Sequence, residues 1–527
     1  MNSKIDELIK QSESYDQDHR FMAANDLCTE LLKPNNNLDN KSVERIIQVF
    51  IRQLDDSTAD IKGNAIKCLA KVVSKIPENL ISEVCKKLIT NINNPQKKED
   101  IKNIDIYATC LKTLINEIPE HYADIMCKTL VQAGLTKRTD TAEINEELIE
   151  LTNHLLKRFS SFLYKNSNIF NKDALIKDLL KNIKDERSSL RKKASLCLGS
   201  LSNILSTKEI SSVGEVLINS MIANAQKKEL LYFTIGFNSI VKNIASKLGN
   251  SVTTILPFII KDINQRRDNQ DEDDFEFTNE IIDYHLSIID YFIKMCPVQT
   301  KPFLKDVINT IYHLISYDPN SAVDDDEEEA MEPEEEEEEE DGYDDFDDMY
   351  DNDDTSWKVR RAAVQVADTM IQTHPELLRD LAETIFDKLV KRFKENEQNV
   401  KLDVFHALSN FLKMIVYGDK HDDDNLEELI EMPKLTKMKS AFMDYSSKIS
   451  GMVASLSKVF KDKKSTPALK IAASNLLFKA SKCTPDAVVD KFDVVFPLLE
   501  QHYSNSSNPT ELKVNLLKVL RSLLKAQ

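Results

Sequence analysis

The chain has 527 residues, 41% hydrophobic and 30% charged, enough apolar content to bury a large interior and to exclude a disordered polymer. Only 9 glycines are present, well below the usual share of ~7%, which excludes folds that rely on glycine turns and phosphate loops. The net charge of −19 is local: Asp324 to Asp354 holds 22 acids and no Lys or Arg, leaving 69 basic against 66 acidic residues elsewhere, a net of +3. A nearly neutral body with one acidic tract and no basic stripe does not fit nucleic acid.

From the start, Met1 to Arg20 is polar and shows no secretory signal, and no later run reaches the ~20 apolar residues of a membrane span. The expectation is a soluble intracellular protein, cytoplasmic and nuclear. Internal repeats come next. Ile76-Pro77-Glu78 and Ile118-Pro119-Glu120 lie 42 residues apart, and His374-Pro375-Glu376 and Thr484-Pro485-Asp486 are alike. Proline then acid suits a helix start: the missing N–H is not needed there, and the acid faces the positive end of the helix dipole.

A second repeated element is a polar turn followed by a basic, apolar and alanine-bearing helix start. Asp56 to Ala65, Asp185 to Ala194, Asp354 to Ala363 and Asn399 to Val404 all read this way. The anchors Ala24, Ala65, Ala108, Ala194, Ala363 and Val404 fall at multiples of about 42 residues, and Ala472 and Val514 extend the series. The long interval between Val404 and Ala472 indicates an insertion around Gly418 to Pro433. Apolar residues between anchors recur at helical spacing, and Leu512, Val514, Leu516, Leu517, Val519, Leu520, Leu523 and Leu524 make one broad apolar face. Each unit therefore reads as two amphipathic helices, and such a pair buries its apolar face only against its neighbours.

A two-helix period near 42 predicts an all-α HEAT-repeat superhelical solenoid, an armadillo-type fold, of ten to twelve units. Residues 1–323 are expected to hold N-terminal repeats and 355–527 to continue them. Residues 324–354 read as a disordered acidic loop set into the array, because dense like charges repel. Lys33 to Asn37 reads as a linker between the helices of the first unit.

Catalytic and metal motifs are missing. There is no phosphate loop, no nucleophile elbow and no HExxH. The eight cysteines lack CxxC spacing and read as buried thiols. His406, in Val404-Phe405-His406-Ala407, reads as structural and beside the core. No enzyme, metal or cofactor is expected. The residues singled out for partner binding stand on the inter-helix turns: Arg191, Lys192, Lys193, Lys358, Arg360, Arg361 and Lys401, with the single tryptophan, Trp357. The alternative reading of these cations is a ladder pairing each with an acid of the next turn, each pair contributing ~0–1 kcal/mol.

Three blocks carry a family resemblance. They are Phe21-Met22-Ala23-Ala24-Asn25-Asp26-Leu27; Tyr317-Asp318-Pro319-Asn320, the acidic tract and Ser356-Trp357-Lys358-Val359-Arg360-Arg361-Ala362-Ala363; and Arg392-Phe393-Lys394-Glu395 with Asn399 to Ala407. In this order they resemble the N-terminal part of the cullin-associated, neddylation-dissociated (CAND) proteins. The resemblance implies a non-enzymatic scaffold that regulates assembly of cullin–RING (SCF-type) ubiquitin ligases. It would wrap the unmodified cullin's C-terminal region and its RING-box subunit, and promote exchange of substrate receptors. Members of that family are longer than this chain, so the expectation is one of three: a fragment, a chain acting with a separate C-terminal CAND-like partner, or a cullin binder that does not exchange receptors. An importin-β-like nuclear transport receptor, also a HEAT array with an acidic loop, is the alternative.

Overall fold

The computed structural model describes residues 2–34, 38–94, 103–268, 275–318, 355–417, 446–462 and 464–526. The acidic tract, the insertion after Tyr417 and residues 35–37 of the expected linker lie outside the described residues. Every described element is helical, and the chain divides into two compact units, Met1–Lys247 and Leu248–Gln527.

The first unit is built from helix pairs in chain order: α1 (Asn2–Gln11) with α2 (Gln17–Leu32), α3 (Asn40–Gln53) with α4 (Ala59–Val72), and α5 (Glu78–Asn93) with α6 (Ile104–Glu117). Then come α7 (Ala123–Gln132) with α8 (Ala142–Arg158), α9 (Lys172–Asn182) with α10 (Ser188–Ser202), and α11 (Thr207–Ala223) with α12 (Glu229–Ile244). The second members, α2 through α12, pack on one another in sequence as one layer, and the first members form the other. Lys33 and Pro34 thus leave α2 toward the second pair, rather than joining the helices of the first.

The second unit repeats the plan. It pairs α13 (Val252–Asp268) with α14 (Phe275–Met295), and α15 (Leu304–Leu314) with α16 (Ser356–Thr373). The next pair has a broken first member, α17 (Leu378–Thr384) and α18 (Phe386–Lys391), facing α19 (Gln398–Tyr417). The last pairs are α20 (Ser446–Lys461) with α21 (Pro467–Cys483), and α22 (Phe492–Ser504) with α23 (Thr510–Ala526). Here α14, α16, α19, α21 and α23 form the stacked layer. Residues 319–354 therefore fall between the two helices of one pair, and residues 418–445 between two pairs.

Helix starts follow the local chemistry. Pro77 directly precedes α5, and Thr466 accepts a hydrogen bond from the Leu469 N–H at the start of α21, with Pro467 in its first turn. Pro119 and Pro375 introduce a 3-10 turn before their helices instead. Ser206 and Glu209 close a reciprocal cap on α11.

The anchors Ala24, Ala65, Ala108, Ala194, Ala363 and Val404 are all fully buried in the stacked layer. The last two anchors need shifts of one and two residues. Val514 is 44% exposed, and the buried equivalents are Ala473 and Leu516, because α23 meets α21 through Leu512, Leu516, Val519 and Leu523. Small residues set the helix spacing within the layer. Ala194→Phe is expected to overpack its site, costing about 1–3 kcal/mol and lowering the urea midpoint of the chain. Gly199 marks a still closer approach: a Cβ there would lie 2.5 Å from the carbonyl oxygen of Ser239 on α12.

The cysteines carry no disulfide; seven are buried and Cys483 is half-buried. Burial pushes the Cys85, Cys127 and Cys197 thiols up to about 12, because a thiolate has no solvation there.

Candidate partner-binding edge

The turns that join the two helices of each pair bring the basic residues to the start of the stacked helices. Their side chains divide into two groups. In the first, arginine folds back on its own turn. Arg20 Nη1 donates to the carbonyls of Ser14 and Tyr15, both at 2.9 Å. Arg191 Nη1 donates to the carbonyls of Asp185 and Glu186, both at 2.7 Å. The donors stand six and five residues after their acceptors in both turns, so the device recurs between repeats. The Arg191 guanidinium also lies 4.0 Å from the ring centroid of Tyr232 on α12.

Arg20 also reaches forward to the next turn, and Arg360 does the same in the second unit. Arg20 grips Asp56 through Nε at 2.8 Å and Nη2 at 3.0 Å. Arg360 grips Glu395 in the same way, at 2.8 and 3.0 Å, and Nη1 donates to the Tyr317 carbonyl and to Ser356 Oγ. The partners are 36 and 35 residues apart, one turn of the array to the next. Such two-pronged pairs combine charge with fixed geometry. Arg361 bonds Asp403 at 2.8 Å. Lys193 reaches Glu146, Glu147 and Glu150 on α8 at 3.7, 3.2 and 2.8 Å, and Lys112 of α6 grips the last two from the other side. Burial opposes the Glu150 charge, yet these two lysines hold its carboxyl below the usual range.

Lys192, Lys358, Lys401 and Trp357 form the second group. Lys192 and Lys358 are exposed, and Lys401 and Trp357 are half-buried. The Lys358 ammonium lies 5.9 Å from the Trp357 ring. Within the second unit, Trp357 and Lys358 at the start of α16 and Lys401 at the start of α19 stand on neighbouring turns. Of the eight residues expected at a partner surface, Arg360 is buried and the other seven keep side chains turned to solvent at least in part. Arg191, Lys193, Arg360 and Arg361 are engaged within the array. Their engagement is foreshadowed in the sequence by an acid in a neighbouring repeat, such as Asp56 for Arg20 and Glu395 for Arg360.

His406 is exposed and not beside the core; it shares the surface with Asp368, whose Oδ2 lies 3.2 Å from Nδ1. That hydrogen bond is the main reason its pKa is raised. A buried group of ionisable side chains brings His285 within 3.5 Å of Asp262, itself bonded to Arg266. His285 is fully buried and neither ring nitrogen has a hydrogen-bond partner. Burial pushes its pKa down to about 3, so the ring is neutral and sealed from any substrate. Among the described residues no group of three or more His, Cys, Asp or Glu is arranged to hold a metal ion, and no described helix is long and apolar enough to cross a membrane.

Paired helices in two layers, with turns aligned along an edge, define a HEAT-repeat solenoid of the armadillo type. Solved structures agree at the level of fold: importin β covers 99% of this chain at 10% identity with a TM-score of 0.53, and the karyopherin Kap121p covers 98% at 13% identity with 0.55. No family model matches. The resemblance to the cullin-associated, neddylation-dissociated proteins holds along most of the chain. Cullin-associated NEDD8-dissociated protein 1 of Arabidopsis thaliana is 25% identical over 516 residues, 97% of this chain and 39% of the relative. The protein of the same name in Drosophila melanogaster is 25% identical over 81% of this chain and 33% of the relative, and protein 2 of Mus musculus is 27% identical over 78% and 32%. The chain thus spans about a third of the length of these relatives, consistent with an N-terminal part.

Proposed function

We propose that this chain is a non-enzymatic scaffold that binds a cullin and its RING-box subunit and regulates assembly of cullin–RING ubiquitin ligases. The observation that carries the reading is similarity over 97% of the chain to a protein named for cullin association. The fold is suited to it, since a helical-repeat array offers an extended surface and no reaction pocket. The likeness to importin β is one of fold at 10% identity and gives transport no support. In this reading the chain promotes receptor exchange and works in cytoplasm and nucleus.

The reading is tested by affinity purification with cullin–RING complexes carrying or lacking NEDD8. The complex without NEDD8 is expected to be retained, and conjugation should reduce binding by about tenfold or more, a loss of ~1.4 kcal/mol or greater. Equal retention of both forms, or of neither, refutes it.

Trp357, Lys358 and Lys401 are the proposed contacts in the second unit, meeting an acidic patch of the partner. Lys358→Glu with Lys401→Glu should leave the melting temperature within the small range of surface changes and lower the association rate, most at low salt. Surface plasmon resonance at two ionic strengths reads this. Unchanged association at both would remove these residues from the interface.

A further inference from the structure

Two of the cysteines face each other across a helix seam. Cys28 on α2 and Cys68 on α4 stand one repeat apart, on helices that pack directly together in the stacked layer. Each sulfur reaches the backbone of the other's helix. Cys28 Sγ lies 4.0 Å from the Cys68 carbonyl oxygen, and Cys68 Sγ lies 3.8 Å from the carbonyl oxygen of Ala24, one turn before Cys28. The Cys68 thiol also hydrogen-bonds the Cys28 sulfur. Side chains that point at one another in this way meet the first requirement of a disulfide.

The surroundings of the pair are polar. Cys68 Sγ has Asn64 Oδ1 at 3.9 Å and Asn25 Oδ1 at 4.0 Å, and Lys71 stands exposed one turn further along α4. The bond from Cys68, with the charge of Lys71, outweighs burial and brings the Cys28 thiol below its ordinary 9.0. The same bond, with burial, pushes the Cys68 thiol up. The pair thus releases one proton easily and holds the other, which sets a nucleophilic thiolate beside a thiol able to resolve it.

The other cysteines of the first unit lack this setting. Cys110, Cys127 and Cys197 are 0% exposed, against 5% for Cys28. Cys85 faces the Met126 thioether, Sγ to Sδ 3.2 Å, with which no disulfide can form. Burial pushes all four of these thiols up, leaving little thiolate to react.

We propose that Cys28 and Cys68 form a redox-modification site, at which hydrogen peroxide converts the two thiols to a disulfide that ties α2 to α4. The Cys28 thiolate attacks one peroxide oxygen: the S–O bond forms, the O–O bond breaks, and the departing hydroxide takes up a proton and leaves as water. The Cys68 sulfur, giving up its own proton, then attacks the Cys28 sulfenic acid. The S–S bond forms, the S–O bond breaks, and a second water leaves with that proton. The two sulfurs together lose two electrons, and the peroxide gains them. The new bond joins residues 40 apart in the chain, which restricts the unfolded state and fixes the first helix pair on the second. This site stands apart from the cullin reading and needs no cullin for its test.

The reduced full chain is treated with hydrogen peroxide, quenched with N-ethylmaleimide at timed intervals, digested and mapped by mass spectrometry. The linked Cys28–Cys68 peptide is expected to appear about tenfold faster than Cys110 or Cys197 is oxidised. The oxidised chain should melt at a higher temperature, and dithiothreitol should reverse the shift. In Cys68→Ala the sulfenic acid has no partner, so dimedone, which captures that group, should label Cys28. In Cys28→Ala, Cys68 should stay unlabelled. Where either variant melts early, the linked peptide from the unaltered chain decides alone. Oxidation of Cys28 and Cys68 no faster than that of the sealed thiols, a disulfide from either one to another cysteine, or dimedone capture at Cys68 would overturn the assignment.

Discussion

Arg360→Ala is expected to destabilise the second unit by about 3–5 kcal/mol, the loss typical when one partner of a buried ion pair is removed. Arg360 and Glu395 are each only 7% exposed, and the guanidinium also satisfies the Tyr317 carbonyl and Ser356. Truncation strands the Glu395 carboxylate, left with Arg392 at 3.4 Å and the backbone N–H groups of Asn396 and Glu397 at 3.1 and 3.5 Å. Arg360→Met combined with Glu395→Gln removes both charges and should lose less than Arg360→Ala alone, because no charge stays buried unpaired. Denaturant unfolding measures both, and a loss below about 1 kcal/mol for Arg360→Ala would contradict the account. The pair also carries a pH signature. Burial works hardest against the Glu395 charge, but the bond and charge of Arg360, with Arg392 and the Glu397 N–H, together outweigh it and hold the carboxyl below its ordinary 4.5. Its folded value being the lower one, the pair contributes in full above the ordinary value. That contribution is lost as pH falls from there through the depressed folded value. Stability of Arg360→Ala should therefore fall less on acidification than that of the unaltered chain.

Gly199→Ala should be nearly as damaging in the first unit, although alanine is the better helix former by ~1 kcal/mol. The new methyl carbon would stand 2.5 Å from the Ser239 carbonyl oxygen and 2.9 Å from its carbon, both backbone atoms. No side chain can rotate away, so α10 and α12 must separate and open the packing around Leu198 and Ile240. Overpacking of this kind costs about 1–3 kcal/mol, and a backbone obstacle places the change toward the upper end. Gly63→Ala is the control: nothing lies within 4 Å of the added carbon, and on α4 it should be neutral or stabilising. A Gly199→Ala chain as stable as the unaltered one in thermal unfolding would mean the layer yields at this crossing.

The repeat and its helical nature were legible because both rest on local periodicity. The six leading anchors were identified at positions that are fully buried, since a stacked helix needs a small or branched residue there in every unit. The period slipped by one residue near the end, where Ala472 and Ala473 are adjacent and spacing alone does not say which faces the core. Side-chain commitment was harder to read. Arg360 and Lys358 look equally free on a turn, and only an acid one repeat away decides that the first is buried and the second is not. His406 was misplaced for a related reason: it lies between core positions in the chain but points the other way around the helix. The exposed Leu517 and Leu524 of α23 were counted within one broad apolar face, because periodicity marks apolar residues without telling which side has a neighbour.

The sealed thiols give the molecule a built-in set of clocks. Cys85, Cys110, Cys127 and Cys197 sit on four different helices of the first unit, each without a disulfide, and burial pushes each of these thiols up. A group that ionises only at high pH inside the protein reacts with an alkylating reagent when its helix swings open. Timed alkylation followed by peptide mapping would then report, cysteine by cysteine, how often each rung of the array opens and which rung opens first.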